Sequence, residues 1–133
     1  MSYNTVRLLL GSNLFDREKN LSTAKLLIKN NLGKIKKESQ IIETIPEGFE
    51  SEFNFLNQVL HLETIYSPFQ LLKEVKKIEK QMGRTYIDNQ QRYQDRLIDI
   101  DILTFNQIFF ESNRLNLPHH QIYSRNFIKN ILN

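Results

Sequence analysis

The sequence predicts an α+β fold, in which helices pack against one face of an antiparallel sheet. Residues 53–65 show the two-residue alternation of a strand. Residues 68–82 carry an apolar stripe with helical spacing, which begins at Pro68 after the potential N-cap Ser67. The other apolar segments extend this pattern to a β-α-β-β-α-β order, followed by a hairpin strand and a short helix. This order is typical of the split βαβ, or ferredoxin-like, sandwich.

Local signals bound each element. A Gly-Ser-Asn turn at residues 11–13 ends the first strand, and Asp16 caps the next helix, with Gly33 beyond its end. Pro46 ends the second strand, and Gly83 ends the second helix. A polar loop is predicted over residues 85–94. The predicted strands cover residues 3–10, 35–45, 53–65, 97–105 and 108–110, and the predicted helices run from the cap to residue 31, over 68–82 and over 121–132.

Length and composition indicate one domain over residues 1–133. The chain has 25% charged and 40% hydrophobic residues, which suits one globular core. No apolar run approaches the roughly 20 residues of a membrane span, and the N-terminus has no signal pattern, so we expect a cytoplasmic protein without a membrane partner. The absence of cysteine excludes disulfides, thiolate zinc sites and cysteine nucleophiles. The net charge of +3 suits an anionic ligand, although lysine-rich helix faces are often simply solvated.

Two carboxylates lie close together on the strand over residues 97–105. Asp99 and Asp101 are two residues apart, so their side chains share one face, roughly 7 Å apart. Ile98, Ile100 and Ile102 point to the opposite face. Two like charges on one face favour a cation between them, and hard oxygen ligands suit Mg²⁺ with substrate phosphates completing its shell. The alternative is the solvated face of an edge strand.

The arginines cluster around these carboxylates. Five of the seven lie in the last 50 residues. Arginine binds phosphate through two parallel hydrogen bonds, whereas lysine acts as a point charge. Carboxylates beside arginines therefore indicate phosphoryl transfer, with ion pairs to neighbouring acids as the alternative. The five are Arg84, Arg92, Arg96, Arg114 and Arg125, with His119 between the last two.

A polar side chain interrupts the strand over residues 53–65. The Asn57 amide offers one acceptor and two donors, which match the edge of a heterocycle. Phe55 and Phe127 could stack on such a ring. The residues alone favour the alternative, in which both phenylalanines belong to the core and Asn57 pairs with the backbone.

Over nearly the whole chain, the order and spacing of these motifs resemble the 6-hydroxymethyl-7,8-dihydropterin pyrophosphokinases of folate biosynthesis. The most specific match is Arg96-x-x-Asp99-x-Asp101-Ile102-Leu103. The other matching motifs are Leu10-Gly11-Ser12-Asn13, Thr44-x-Pro46-x-Gly48, Phe55-Leu56-Asn57, Glu79 with Gly83-Arg84, Leu117-Pro118-His119 and Arg125-x-Phe127.

The resemblance implies transfer of pyrophosphate from ATP, the co-substrate, to 6-hydroxymethyl-7,8-dihydropterin, which leaves AMP. It implies that Asp99 and Asp101 hold two Mg²⁺ ions and are catalytic together with Arg84, Arg92 and Arg96. The residues implied for ATP are Glu79, Arg84, Arg92, Arg96, Ile102, Arg114, His119 and Arg125. Those implied for the pterin are Gly11, Thr44, Pro46, Glu47, Phe55, Asn57, Tyr93 and Phe127.

The sequence departs from the family pattern at several points. Tyr93 stands where the closing loop usually has tryptophan, and Tyr86 stands where a second loop arginine is common. The chain stops at Asn133, before a C-terminal segment that family members usually have, so we expect weaker closure over ATP.

Three other functions share some of these sequence features. A nucleotidyltransferase is disfavoured because Ser12 and Asp99 are 87 positions apart, whereas its Gly-Ser and Asp-x-Asp motifs lie close together. A ferredoxin-like RNA-binding or metabolite-sensing module is disfavoured because the two acids would repel a phosphate backbone, so no nucleic acid partner is expected. A degenerate pterin binder without catalysis stays open. We expect a monomer, and association with a neighbouring folate-pathway enzyme stays open.

Overall fold

The computed structural model describes residues 2–47, 51–83 and 96–133. The predicted loop over residues 85–94 lies outside the described residues, and so do Arg84, Tyr86, Arg92 and Tyr93. The strands are β1 Asn4–Ser12, β2 Lys34–Glu38, β3 Ile42–Thr44, β4 Phe55–Thr64, β5 Asp99–Phe105, β6 Phe110–Glu111 and β7 Asn116–Leu117. The helices are α1 Arg17–Asn31, α2 Pro68–Gln81, α3 Gln121–Ser124 and α4 Asn126–Ile131.

An antiparallel sheet forms the centre of the fold, as the α+β prediction expected. Its strand order is β2-β4-β1-β5, and β3 also pairs with β4 beyond the end of β2. Every one of these pairings is antiparallel. β1 lies between β4 and β5, so residues from both ends of the sequence meet beside it. No helix in the described part of the chain is long and apolar enough to span a membrane.

Both faces of the sheet are covered. α1 and α2 pack on one face, where Leu8, Leu60 and Ile100 contribute to the larger core cluster. Leu9 and Val59 alternate with these residues and point to the opposite face, where they pack against α4 in a second cluster. The helix predicted at the C-terminal end therefore covers the face that α1 and α2 leave open.

Local hydrogen bonds explain where two predicted elements break. The strand predicted over residues 35–45 is divided into β2 and β3, because Ser39 leaves the regular ladder. Its hydroxyl accepts the Val59 N–H at 2.9 Å, and its carbonyl accepts the Gln58 side-chain amide at 2.8 Å. The helix predicted over residues 121–132 is divided into α3 and α4, because Arg125 is extended, with φ −113° and ψ 109°.

Two further boundaries differ from prediction. The predicted turn at residues 11–13 begins later, since β1 continues to Ser12 and pairs Gly11 with both neighbouring strands. The strand predicted over residues 108–110 lies at Phe110–Glu111 and pairs with β7 in a separate two-stranded sheet. In the described residues this strand therefore pairs with β7, the segment that follows it, and not with the preceding strand β5.

A row of basic residues crosses the sheet at the end of β1 nearer its N-terminus. Arg7 pairs with His61, which pairs with Lys37. Burial, followed by the positive charges of Arg7 and Lys37, lowers the pKa of His61, against the opposite effect of a hydrogen bond to the Leu132 backbone. His61 is therefore held neutral in the folded protein.

Candidate active site

One row of residues crosses the sheet at its other end. Gly11 pairs with Asp99 of β5 on one side and with Asn57 of β4 on the other, and Asn57 pairs with Ile42 of β3. These side chains lie on the face opposite α1 and α2, because the alternating residues of β4 and β5 belong to the core beneath those helices. The row therefore brings a predicted metal-binding residue within two strands of a predicted pterin-binding residue.

Gly11 keeps an opening in this row. A Cβ atom at this position would lie 3.4 Å from Asn57 Oδ1 and 3.4 Å from Phe55 Cδ1. A methyl group would occupy the space between the amide and the aromatic ring. The missing side chain thus leaves Phe55 and the Asn57 oxygen bordering the same opening.

The sequence left two roles open for Asn57, ligand binding and pairing within the protein. Its amide nitrogen pairs within the protein, whereas its oxygen faces the opening. Asn57 is 3% exposed, and its Nδ2 donates to the Thr44 hydroxyl at 2.8 Å and to the Ile42 carbonyl at 3.1 Å. These contacts use the amide donors and hold the side chain in one orientation. The Oδ1 acceptor faces the opening at Gly11.

A cleft of about 210 Å³ lies at the edge of β5, between α2 and the segment that carries β7. Acidic and basic side chains face each other across it, as expected for a site that binds a metal and phosphates. Six residues that the resemblance implied for ATP or metal line this cleft: Glu79, Asp99, Asp101, Ile102, Arg114 and His119. The other lining residues are Leu72, Val75, Lys76, Ile100, Asn113, Leu115 and Asn116.

The two carboxylates share one face, as predicted. Asp99 Oδ2 accepts a hydrogen bond from Arg96 Nη1 at 3.1 Å in a partly buried ion pair. Arg96 Nε is buried without a hydrogen-bond partner among the described residues, so it retains a donor for an anion. No group of three or more metal-ligating side chains occurs in the described ranges. Two carboxylates with room for water and phosphate oxygens fit Mg²⁺, which seldom takes an all-protein shell.

Asn13 connects the two halves of the site. Its Oδ1 accepts the Arg96 N–H at 2.6 Å, and its own N–H donates to the Arg96 carbonyl at 3.0 Å. Its Nδ2 donates to the Phe53 carbonyl at 3.2 Å, just before β4. Asn13 is 1% exposed, so these bonds are shielded from water. The sequence motif includes this residue, but its clamping role depends on contacts that the motif does not reveal.

Glu79 supports the strand that carries the carboxylates. It is 3% exposed, and its Oε2 accepts the Ile100 N–H at 2.7 Å. Ile100 lies between Asp99 and Asp101, so this bond from α2 fixes the backbone on which both carboxylates depend.

His119 is held neutral at the edge of the cleft. Its Nδ1 accepts the Gln121 N–H at 3.2 Å, which leaves the ring proton on Nε2. Burial, followed by the positive charge of His120, lowers the pKa of His119, while the Asp99 charge acts in the opposite direction. His119 can therefore donate one hydrogen bond from Nε2 at neutral pH.

Arg125 lies with the residues implied for the pterin. Its Nε forms an ion pair with Glu47 Oε2 at 2.8 Å, and its guanidinium carbon lies 4.5 Å from the centre of the Phe127 ring. Gln121 connects Arg125 to β5, because its Oε1 accepts from Arg125 Nη1 at 3.3 Å and its Nε2 donates to Asp101 Oδ2 at 2.9 Å. Sequence reasoning missed Gln121, which stands outside the recognised motifs.

Arg114 stands at the mouth of the cleft. It is exposed, and its guanidinium carbon lies 5.4 Å from the centre of the Phe69 ring. Pro46 lies two residues beyond the end of β3 and is partly buried. Arg84, Arg92 and Tyr93 were implied for the site but lie outside the described residues.

The model of the 7,8-dihydro-6-hydroxymethylpterin-pyrophosphokinase (HPPK) family matches residues 7–133. The chain belongs to the HPPK family. This confirms the resemblance drawn from the motifs.

Two bacterial relatives carry the name 2-amino-4-hydroxy-6-hydroxymethyldihydropteridine pyrophosphokinase. The protein of Porphyromonas gingivalis is 40% identical over 93% of this chain and 85% of its own length. The protein of Bacillus subtilis is 37% identical over 94% of this chain and 74% of its own length.

The HPPK fold also recurs in a larger solved structure. A crystal structure of a Plasmodium falciparum HPPK-DHPS triple mutant superposes with a TM-score of 0.73 at 21% identity. The match covers 99% of this chain but 38% of that one, so this chain spans less than half of the HPPK-DHPS chain.

Proposed function

We propose that this protein transfers the pyrophosphoryl group of ATP to 6-hydroxymethyl-7,8-dihydropterin, as its HPPK family membership indicates. The pterin hydroxyl oxygen forms a bond to the β-phosphorus, the bond from that phosphorus to the α,β-bridging oxygen breaks, and AMP leaves with this oxygen. The hydroxyl proton passes to solvent. The products are AMP and the pterin pyrophosphate.

The single observation that carries this proposal is the row Asp99–Gly11–Asn57. In this row, a carboxylate that lines the cleft is in register with an amide whose oxygen borders the opening at Gly11. Transfer between two substrates depends mainly on holding the reacting atoms close and aligned. A row only two strand spacings wide, roughly 10 Å, supports direct transfer between the two substrates.

Asp99 and Asp101 would hold the two expected Mg²⁺ ions. When bound, metal ions at these carboxylates would supply positive charge to offset that of the phosphates. Arg96 would contribute its unpaired Nε donor to a phosphate oxygen, while its ion pair orients Asp99. Arg84 and Arg92 would add further phosphate contacts, as the family resemblance implies.

ATP would occupy the cleft at the β5 edge. Glu79 would act by holding the backbone of Ile100, while Ile102 supplies an apolar surface. His119 would donate from Nε2, and Arg114 would meet the nucleotide at the cleft mouth.

The pterin would enter the opening at Gly11, where Asn57 Oδ1 accepts from an N–H on its edge. Phe55 and Phe127 would stack on its faces, and Tyr93 would close over it. Thr44 would orient Asn57, whereas Pro46 and Glu47 follow β3 at the border of this region. Arg125 would bridge the pterin and ATP halves of the site.

Several broader predictions stand with this proposal. The antiparallel strand order supports the split βαβ, or ferredoxin-like, arrangement within one domain over residues 1–133. The protein would act as a cytoplasmic monomer without nucleic acid or membrane partners.

Product analysis tests the function directly. Mg²⁺ and ATP are incubated with the protein, with and without the hydroxymethyl-dihydropterin, and nucleotides are separated by chromatography. AMP that appears only with the pterin supports pyrophosphoryl transfer. ADP would instead mean transfer of one phosphate, and pterin binding without AMP would mean a degenerate binder.

A further inference from the structure

Gln121 connects two parts of the site that lie on different elements. Its Nε2 donates to Asp101 Oδ2 at 2.9 Å, and its Oε1 accepts from Arg125 Nη1 at 3.3 Å. Both ends of one side-chain amide are therefore used. Arg125 in turn pairs with Glu47 at 2.8 Å, which extends the chain of contacts to the segment after β3.

The backbone supports this placement. The Gln121 N–H donates to His119 Nδ1, and Gln121 is the first residue of α3. The helix stops after one turn, and the extended conformation at Arg125 turns its side chain back toward Gln121. Hydrogen bonds therefore hold Gln121 at its backbone N–H and at both ends of its side-chain amide.

We infer that Gln121 is a positioning residue, which orients the Asp101 carboxylate for the metal and couples it to Arg125 and Glu47. This inference rests on the proposed function. A neutral amide suits the task, because its N–H fixes one carboxylate oxygen without adding charge that would compete with a cation. Groups that orient metal ligands typically change metal affinity about 10–100-fold when they are removed.

Two variants test the inference. Gln121→Met keeps the approximate length and removes both hydrogen bonds, whereas Gln121→Asn keeps the amide but is too short to span Asp101 and Arg125. Mn²⁺ binding is measured by electron paramagnetic resonance in the presence of α,β-methylene-ATP, which cannot be cleaved at the reacting bond. We expect the Mn²⁺ dissociation constant to rise about tenfold in both variants. Gln107→Met, on the exposed turn after β5, serves as the matched control and should bind Mn²⁺ like the wild type.

A second measurement separates positioning from a general loss of structure. The Mg²⁺ concentration for half-maximal turnover should rise by a similar factor, and saturating Mg²⁺ should restore most of kcat. Lost turnover that Mg²⁺ does not restore would overturn the inference, and so would an unchanged Mn²⁺ dissociation constant in folded variants. If wild-type protein made no AMP but the Mn²⁺ shift remained, the proposed function would fail while the positioning role of Gln121 stood.

Discussion

Replacing Asn13 by alanine should destabilise the protein and weaken both halves of the site together. The substitution leaves the Arg96 N–H without its acceptor and removes the donor to the Phe53 carbonyl. A buried N–H without a partner costs about 1–3 kcal/mol, and the second bond contributes about 0.5–1.5 kcal/mol. The free energy of unfolding should therefore fall by about 1.5–4.5 kcal/mol.

Urea denaturation measures this change. With a slope of about 2 kcal/mol per molar urea, the midpoint should fall by about 1–2 M. Asn30→Ala is the matched control, because Asn30 is exposed on α1, and its midpoint should hardly move. Asn13→Asp keeps the acceptor for Arg96 but sets a buried carboxylate oxygen against the Phe53 carbonyl, so its midpoint should also fall. Equal midpoints for Asn13→Ala and Asn30→Ala would refute the reasoning.

Three further predictions follow from the site and the basic row. Asp99→Asn or Asp101→Asn should reduce kcat about 100-fold or more, measured as AMP release, because each removes charge where phosphates and metal would bind. Gly11→Ala should change the free energy of unfolding by less than about 1 kcal/mol. It should nevertheless raise KM for the pterin about tenfold or more, since the methyl group enters the opening. Burial and neighbouring positive charges lower the pKa of His61, so the folded state should lose stability as pH falls below the ordinary value of 6.5. His61→Asn should flatten that loss, measured by denaturation midpoints from pH 7.5 to 5.

Each of these predictions has a result that contradicts it. Near-normal kcat in either aspartate variant would show that Asp99 and Asp101 do not hold the metal as proposed. A Gly11→Ala protein that unfolds earlier but binds the pterin normally would mean that Gly11 serves packing alone. For His61, the comparison is His120→Asn on the exposed surface. If both histidine variants lost stability equally on acidification, the acid sensitivity would come from other groups.

Regular patterns of long elements made most of the fold predictable. In β4, the predicted alternation corresponds to Leu56 and Leu60 in the core under α1 and α2, with Val59 in the opposite cluster. The helical stripe of α2 is likewise buried at Leu71 and Val75. In both cases one face is apolar and the other polar over many residues, so a shifted register would expose the apolar face.

The breaks could not be predicted because single side chains cause them. Ser39 interrupts the second strand through bonds to Val59 and Gln58, which are distant in sequence. The extended conformation of Arg125 divides the last helix at a residue whose local sequence is compatible with a helix. In each case a tertiary contact outweighs a weak local preference.

The charged residues of the site could be predicted from the sequence, but the residues that hold them in place could not. Asp99 and Asp101 follow from two-residue spacing on one strand, without knowledge of the partner strand. Asn13 and Gln121 act through partners 83 and 20 residues away, so no local pattern identifies them. The residues that make contact with a substrate are constrained by chemistry, whereas those that hold them are constrained by the fold.

The position of β1 explains why one short row can serve two substrates. Leu9 of β1 packs in one cluster with Val59 of β4 and Leu103 of β5. The next residue of β1 on the same face is Gly11, which has no side chain. The sheet therefore changes from a filled layer beneath α4 to an open one within two residues. At this boundary Asp99 and Asn57 flank the same glycine, so the antiparallel register alone aligns the charge of one strand with the amide of the other. A side chain at Gly11 would fill the opening beside Asn57 and Phe55 without displacing Asp99, which is why substitution at this position tests the pterin half of the site.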